Sequence, residues 1–351
     1  MTAGSREPMI APFGTLPNGQ AVEMHTLTTA TGVEVSFLSL GGIITRVSVP
    51  DREGAFTDIT PGYDTLEHYL EDNRYFGTLV GRFANRIANA RFTLDGVEHH
   101  LSQNDGLNQL HGGPHGFHSV VWSVEPFSFA EGMGAVLRHR FPAGTDGYPG
   151  TLDVSVTYTL TDASELVLDF AATTDAATPI NMTQHVYFNL AGQASGTVFD
   201  HEVTLHASRY LPVDENVIPT GEQHPVRGTR FDFTSPRSIR EAAGPGGDFD
   251  YDNTFVLDSP DLAHPAAVLR DPESGRTVTV FTTEPGIQLY TGKYMGSGKH
   301  GKAGHHYEAN TALALESQHF PNSPNEPRFP STILRPGDEY RSRTIYRLHT
   351  S

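Results

Sequence analysis

The sequence predicts an all-β protein, a large sandwich of antiparallel sheets with few short helices. Short runs enriched in β-branched and aromatic residues recur along the 351 residues, 35 glycines and 24 prolines punctuate them, and helical periodicity is scarce.

Taken in order, strands are expected at 33–40, 43–49, 91–94, 120–129, 135–141, 152–160, 166–173, 202–206, 266–270, 277–282 and 344–349. Between RFTL and VEHHL, Asp95-Gly96 is a hairpin signal, because both turn positions tolerate positive φ. The clearest helix is a turn or two over 65–72, opened by Asp64 or Thr65 as cap. No composition break marks a linker and no repeat stands out, so residues 1–351 are read as a single domain.

Three stretches alternate in the way a half-buried strand does. In NMTQHVYFNLAG, residues 181–192, Asn181, Thr183, His185, Tyr187 and Asn189 share one face, while Met182, Val186, Phe188 and Leu190 dominate the other. In TALALESQHFPNSPN, residues 311–325, Leu313 and Leu315 oppose Ala312, Ala314 and Glu316. In GIQLYTGKY, Gln288 and Tyr290 oppose Ile287 and Leu289. Each pairs an oily underside with a polar or small-residue top, which suits a cleft for a polar molecule. The alanines are expected to leave room beside Glu316.

A net charge of -17 argues against nucleic acid or an anionic membrane surface as partner, since a phosphate surface needs a basic footprint. With no cysteine there is neither a disulfide framework nor thiol catalysis. Residues 1–20 lack an apolar core of signal-peptide length, and no run approaches the ~20 apolar residues of a membrane span. A cytoplasmic monomer or homodimer is the expectation.

Polar motifs cluster in the first third. In GRFANRIANARFTLDG, residues 81–96, an extended chain would place Arg82 and Arg86 on one face with Asn85 opposite. LHGGPHGFH sets His111, His115 and His118 around a Gly-Gly turn. Imidazoles suit zinc or copper, but no cysteine or well-spaced carboxylate supports a metal here, and none is expected. Two loops stand out: EAAGPGGDFDYDN, 241–253, and MGSGKHGKAGHH, 295–306, the latter read as a mobile surface loop. Alone, His185 reads as a hydrogen-bonded structural histidine and Glu316 as a strand-edge salt-bridge partner.

Together, GRFANRIANARFTLDG, LHGGPHGFH, NMTQHVYFNLAG, YDNTFVL, PGIQLYTG and LALESQHFPNSPN resemble, in order, the motifs of the aldose 1-epimerases, the galactose mutarotase family. The resemblance spans nearly the whole chain. It implies a galactose mutarotase-like β-sandwich with the sugar site on one sheet, no cofactor, and a small aldose as partner. The implied activity is interconversion of the α and β anomers of free aldohexoses such as galactose and glucose. By motif position it implies His185 as general acid and Glu316 as general base. It also implies Asn85, Arg86, His111, Asp252 and Gln288 as substrate-binding residues. Where many members read Asp-His-Asn-Phe, this chain reads Asp-Asn-Thr-Phe, and Asp250 is the alternative to Asp252.

Anomerisation needs one proton taken from the C1 hydroxyl and one given to the ring oxygen. A carboxylate of ordinary pKa ~4.3 and an imidazolium near ~6.5 can supply both at neutral pH, with neighbouring carboxylates expected to favour the charged imidazole. Two rival readings remain. A mutarotase of hexose 6-phosphates would need a basic phosphate pocket, and a carbohydrate-binding protein without catalysis would need neither His185 nor Glu316.

Overall fold

The computed structural model describes residues 6–72, 74–296 and 301–351. Among the described residues, three sheets of five or more strands dominate, and every pairing within them is antiparallel. The largest runs Ser123–Phe129, Gly132–Phe141, Leu152–Thr161, Glu165–Thr174, Tyr340–Thr350, Arg276–Thr282, Ala267–Arg270, Glu202–Leu205 and Arg237–Ser238. Its long strands alternate strictly: in Leu152–Thr161 every second residue is buried and the rest are half-buried or exposed. That alternation is the signature of one face packed and one facing solvent.

A six-stranded sheet packs on the buried face. Its order is Tyr187–Phe188, Leu313–Gln318, Gly286–Tyr290, Asp252–Val256, Arg209–Tyr210 and His224–Pro225. Its underside, with Phe188, Leu313, Leu315, Ile287, Leu289 and Phe255, joins Tyr158, Leu168 and Tyr346 of the larger sheet in one core. Each fully buried leucine there stabilises the fold by roughly 1.5–3 kcal/mol. With the leucines held inward, Glu316 and Gln288 must point to the other face, where they stand directly opposite one another across neighbouring strands. A five-stranded sheet, Met9–Thr15, Ala21–Thr28, Glu34–Leu38, Ile44–Pro50 and Phe56–Asp58, completes the frame.

The strand expectations hold with shifted ends, and Met9–Thr15 and Ala21–Thr28 are additions. Asp95 (φ 50°) and Gly96 (φ 82°) form the hairpin turn between Arg91–Leu94 and Val97–His100. The helix Leu66–Glu71 is capped by Thr65, whose hydroxyl accepts from His68 N. A second helix, Ile239–Ala243, begins in a capping box between Ser238 and Glu241, a spacing plainly written in the sequence as Ser-Ile-Arg-Glu.

Three expectations need correction. The stretch 181–192 is not one strand: Thr183–Gln184 pairs with Leu79–Val80, and Tyr187–Phe188 pairs with Leu313 and Ala314. Its asparagines do not reach the cleft, because Asn181 Nδ2 donates to the carbonyls of Ala84 and His319, and Asn189 Nδ2 to those of Thr311 and Gly196. Nor do the alanines leave open room. Ala312 and Ala314 are covered by Tyr63, Phe76, Tyr187, Met295 and Tyr307. Finally, the histidine-rich stretch is not loose where it is described, although residues 297–300 lie outside the described residues. Met295 is buried, and Lys302 Nζ binds Asp58 Oδ2 at 2.7 Å and Thr60 O at 2.6 Å. Among the described residues, no helix is long and apolar enough to cross a membrane.

Candidate active site

Above the six-stranded sheet opens a cleft of about 580 Å³ lined by Asn85, Arg86, His111, His185, Asp252 and Glu316, together with Tyr75, Tyr187 and Tyr290. Six of the seven sequence-derived site residues therefore converge on one cavity. Four of them, Asn85, His111, His185 and Glu316, are buried. His185 Nε2 stands 3.6 Å from Glu316 Oε1, too long for a hydrogen bond, and among the described residues Glu316 Oε2 has no hydrogen-bond partner. A buried carboxylate oxygen without a partner is costly unless something else supplies the hydrogen bond. A hydroxyl-bearing ligand entering the cleft would supply it.

The seventh residue, Gln288, lies behind the cleft wall. Its Nε2 donates to Asp252 Oδ1 at 2.6 Å, and its Oε1 accepts from Thr254 Oγ1 at 2.5 Å. Because the threonine hydroxyl donates to the amide oxygen, the amide nitrogen is turned toward the carboxylate. Thr254→Val is expected to leave the Gln288 oxygen buried without its donor, a loss of roughly 1–3 kcal/mol. Asp252 would lose its fixed orientation, so steady-state kinetics should show KM rising about tenfold with kcat little changed. The alternative carboxylate, Asp250, is turned away and pairs with Lys293 Nζ at 2.8 Å.

The arginines of the GRFANR motif part company. Arg82 turns inward and donates to Gly150 O at 2.9 Å and Thr178 Oγ1 at 3.0 Å, with its cation over the Tyr148 ring. Arg86 enters the cleft, bonded to Asp105 Oδ2 at 2.8 Å and 3.8 Å from Asp252 Oδ2. The extended alternation fails because Asn85 is left-handed at φ 62°, a conformation asparagine tolerates. Likewise only His111 of the three histidines around the Gly-Gly turn lines the cleft. His115, itself exposed, pairs with buried Asp146 at 3.1 Å, and His118 lies behind Tyr75. Asp105 and Tyr75 carry no local signal that would have singled them out.

Burial sets the protonation of the central pair opposite to expectation. Desolvation drives the Glu316 carboxyl up to about 8, reinforced by Asp252 and opposed by Arg86. It drives the His185 imidazole down to about 4. Although the spacing admits an ion pair, two charges this deep lose more hydration than a 3.6 Å contact returns, so the neutral pair prevails. Both forms nevertheless carry one transferable proton between them.

The matches with known proteins agree with this geometry. The family model for aldose 1-epimerase matches residues 23–347. The chain belongs to the aldose 1-epimerase family. It is 42% identical over 337 residues to the galactose mutarotase of Homo sapiens, covering 96% of this chain and 97% of that one. To the aldose 1-epimerase of Escherichia coli K12 it is 36% identical over 343 residues, covering 94% and 96%. An aldose epimerase homologue from C. elegans matches in structure with a TM-score of 0.86 at 32% identity, over 93% of this chain and 98% of that one. The galactose 1-epimerase from Lactobacillus acidophilus shares the fold, with a TM-score of 0.86 at 24% identity over 98% and 99%. The protein is accordingly an isomerase that interconverts the anomers of aldoses.

The ligand atoms of His111, His185 and Glu316 lie within 4.8 Å of one another, close enough to suggest a metal triad. The donor chemistry does not fit. The backbone N–H of Asn85 donates to His111 Nδ1 at 3.2 Å, so that nitrogen keeps its lone pair and the proton resides on Nε2. A metal bound through Nε2 would require the proton to move to Nδ1, where it would meet the Asn85 N–H. His111 is thus a fixed hydrogen-bond donor, neutral because burial and the nearby His185 and Arg86 hold its pKa well below the ordinary value.

Proposed function

We propose that the substrate is a free, unphosphorylated aldohexopyranose of the galactose or glucose type, and that His185 and Glu316 exchange protons with its ring oxygen and C1 hydroxyl. The observation that carries this reading is the buried His185–Glu316 pair, 3.6 Å apart at the base of the cleft. Hydroxyls that donate to Glu316 favour its carboxylate form, which moves the shared proton to His185. The imidazolium then protonates the ring oxygen while Glu316 takes the C1 hydroxyl proton. The C1–O5 bond breaks, and the open chain carries an aldehyde at C1. After rotation about C1–C2, Glu316 returns its proton to the aldehyde oxygen and His185 takes back the proton from the C5 hydroxyl. Each cycle ends with the pair's proton count unchanged, and closure on the opposite face yields the other anomer.

Asn85, Arg86, His111 and Asp252 hold hydroxyls in this reading, with the His111 N–H or the Arg86 charge stabilising negative charge on oxygen as the ring opens. Gln288 acts through Asp252. The preference for an uncharged sugar rests on the cleft's charges. Both arginines among the described lining residues already bind aspartates: Arg86 holds Asp105, and Arg74 Nε holds Asp72 Oδ1 at 2.8 Å. A phosphate dianion would instead meet the carboxylates of Glu71, Asp72 and Asp252. Polarimetry of freshly dissolved α-D-galactose, α-D-glucose and glucose 6-phosphate tests this. The free hexoses are expected to reach their unaltered final rotation faster with enzyme. Faster turnover of the phosphorylated sugar would overturn the substrate assignment.

A further inference from the structure

Tyr75 is a non-glycine residue in left-handed conformation, φ 56°, on the turn that grips the backbone of His185. Gly77 N donates to His185 O at 3.0 Å, His185 N donates to Thr78 O at 2.9 Å, and Thr78 N donates back to Tyr75 O at 3.3 Å. The turn admits little freedom: at Gly77, φ 66°, a Cβ would lie 2.0 Å from Ile44 O. Bulky side chains seldom hold positive φ without a surrounding structure that demands it.

What the conformation achieves is the placement of one ring among three imidazoles. The Tyr75 ring centroid lies 4.6 Å from that of His111 and 5.0 Å from that of His118, both edge-on, and 6.3 Å from that of His185 at 21°. His111 and His185 themselves meet edge-on at 5.3 Å. The same residue stands in the shared wall of two cavities. The cleft of about 580 Å³ and a neighbouring one of about 260 Å³ share Glu71, Asp72, Arg74 and Tyr75 in their walls.

We propose that Tyr75 is a positioning residue, whose ring seals the His111–His185 corner of the cleft from the second cavity and fixes the orientation of the His185 imidazole for proton transfer. The inference rests on the assignment of His185 as a proton-transfer group. Around that imidazole stand Glu316, the His111 ring and the phenols of Tyr187 and Tyr290, with Arg86 and Asp252 further across the cleft and His118 behind Tyr75. None of these closes the side that Tyr75 closes. Without the ring the two cavities join and water approaches His185 from a second side besides the cleft, relaxing the desolvation that holds its pKa at about 4. The phenol hydroxyl matters less, because among the described residues it accepts just a long 3.5 Å contact from Asn104 Nδ2.

The test compares Tyr75→Phe and Tyr75→Ala with wild type by two readouts: NMR titration of the His185 imidazole, and the pH dependence of kcat/KM from polarimetry. Tyr75→Phe should match wild type within about twofold at every pH. In Tyr75→Ala, His185 should titrate at least one pH unit higher, the acid limb of kcat/KM should follow it, and kcat should fall about tenfold or more while the alkaline limb stays in place. Should Tyr75→Ala not fold, Tyr75→Gly removes the same ring while accepting φ 56° without strain. A folded ring-deletion variant whose His185 titrates as in wild type overturns the proposal, as does wild-type His185 titrating near its ordinary value. If His185→Asn kept its rate, the assignment of His185 would fail while the NMR comparison still judged Tyr75.

Discussion

Glu316→Gln is expected to lose roughly 10²- to 10⁴-fold in kcat and, at the same time, to become more thermally stable than wild type at alkaline pH. The rate loss follows from removing the group that takes and returns the C1 hydroxyl proton. The gain follows from linkage. In the folded protein Glu316 keeps its proton up to about pH 8, whereas in the unfolded chain it would lose it near the ordinary 4.5. Between those values unfolding releases a proton, so rising pH favours the unfolded chain. An amide does not titrate, and the variant should therefore outlast wild type by an amount that grows through this window to the order of a few kcal/mol at pH 8. Thermal melts at pH 5 and pH 8 measure the effect. Equal melting shifts at the two pH values would mean that the carboxyl is not held neutral by the fold.

His185→Asn is expected to cause a rate loss of similar size, roughly 10²- to 10⁴-fold, with the opposite pH signature in stability. Folded His185 stays neutral down to about pH 4, while unfolded it binds a proton below its ordinary 6.5. Acid therefore favours the unfolded wild-type chain as pH falls from 6.5 toward 4, and the variant should lose less stability across that range. Retention of full activity by this variant, with native melting, would remove His185 from the mechanism.

Much of this arrangement was legible in the sequence because strand periodicity is a local property. Leu313 and Leu315 declare which way their strand faces, and Glu316 must then point the other way; Ile287 and Leu289 do the same for Gln288. What was not legible depends on contacts between distant segments. The pairing of Thr183–Gln184 with Leu79–Val80 interrupts a stretch whose alternation alone suggests one strand. Ala314 reads as open space until Tyr187 and Tyr307 cover it. Nothing local to Gln288 signals that Thr254 and Asp252 hold its two ends. Protonation was the largest departure. Neighbouring carboxylates suggest a charged histidine, but the depth of His185 and Glu316 decides otherwise, and depth belongs to the fold.

In the proposed mechanism one proton shared by His185 and Glu316 serves the whole cycle. The pH dependence of kcat/KM for α-D-galactose, followed by polarimetry, tests it most directly, since kcat/KM reports the free enzyme's essential acid and base. The pair holds a single proton from about pH 4 to about pH 8, and its division between the two groups does not vary with pH inside that range. The expected profile is a plateau with limbs near those values. Ordinary solvent-exposed groups would instead give a maximum between about 4.3 and about 6.5 and a tenfold fall per pH unit above it. A rate that declines through pH 6.5 and is largely gone by pH 8 would mean that the pair does not share one proton across this range.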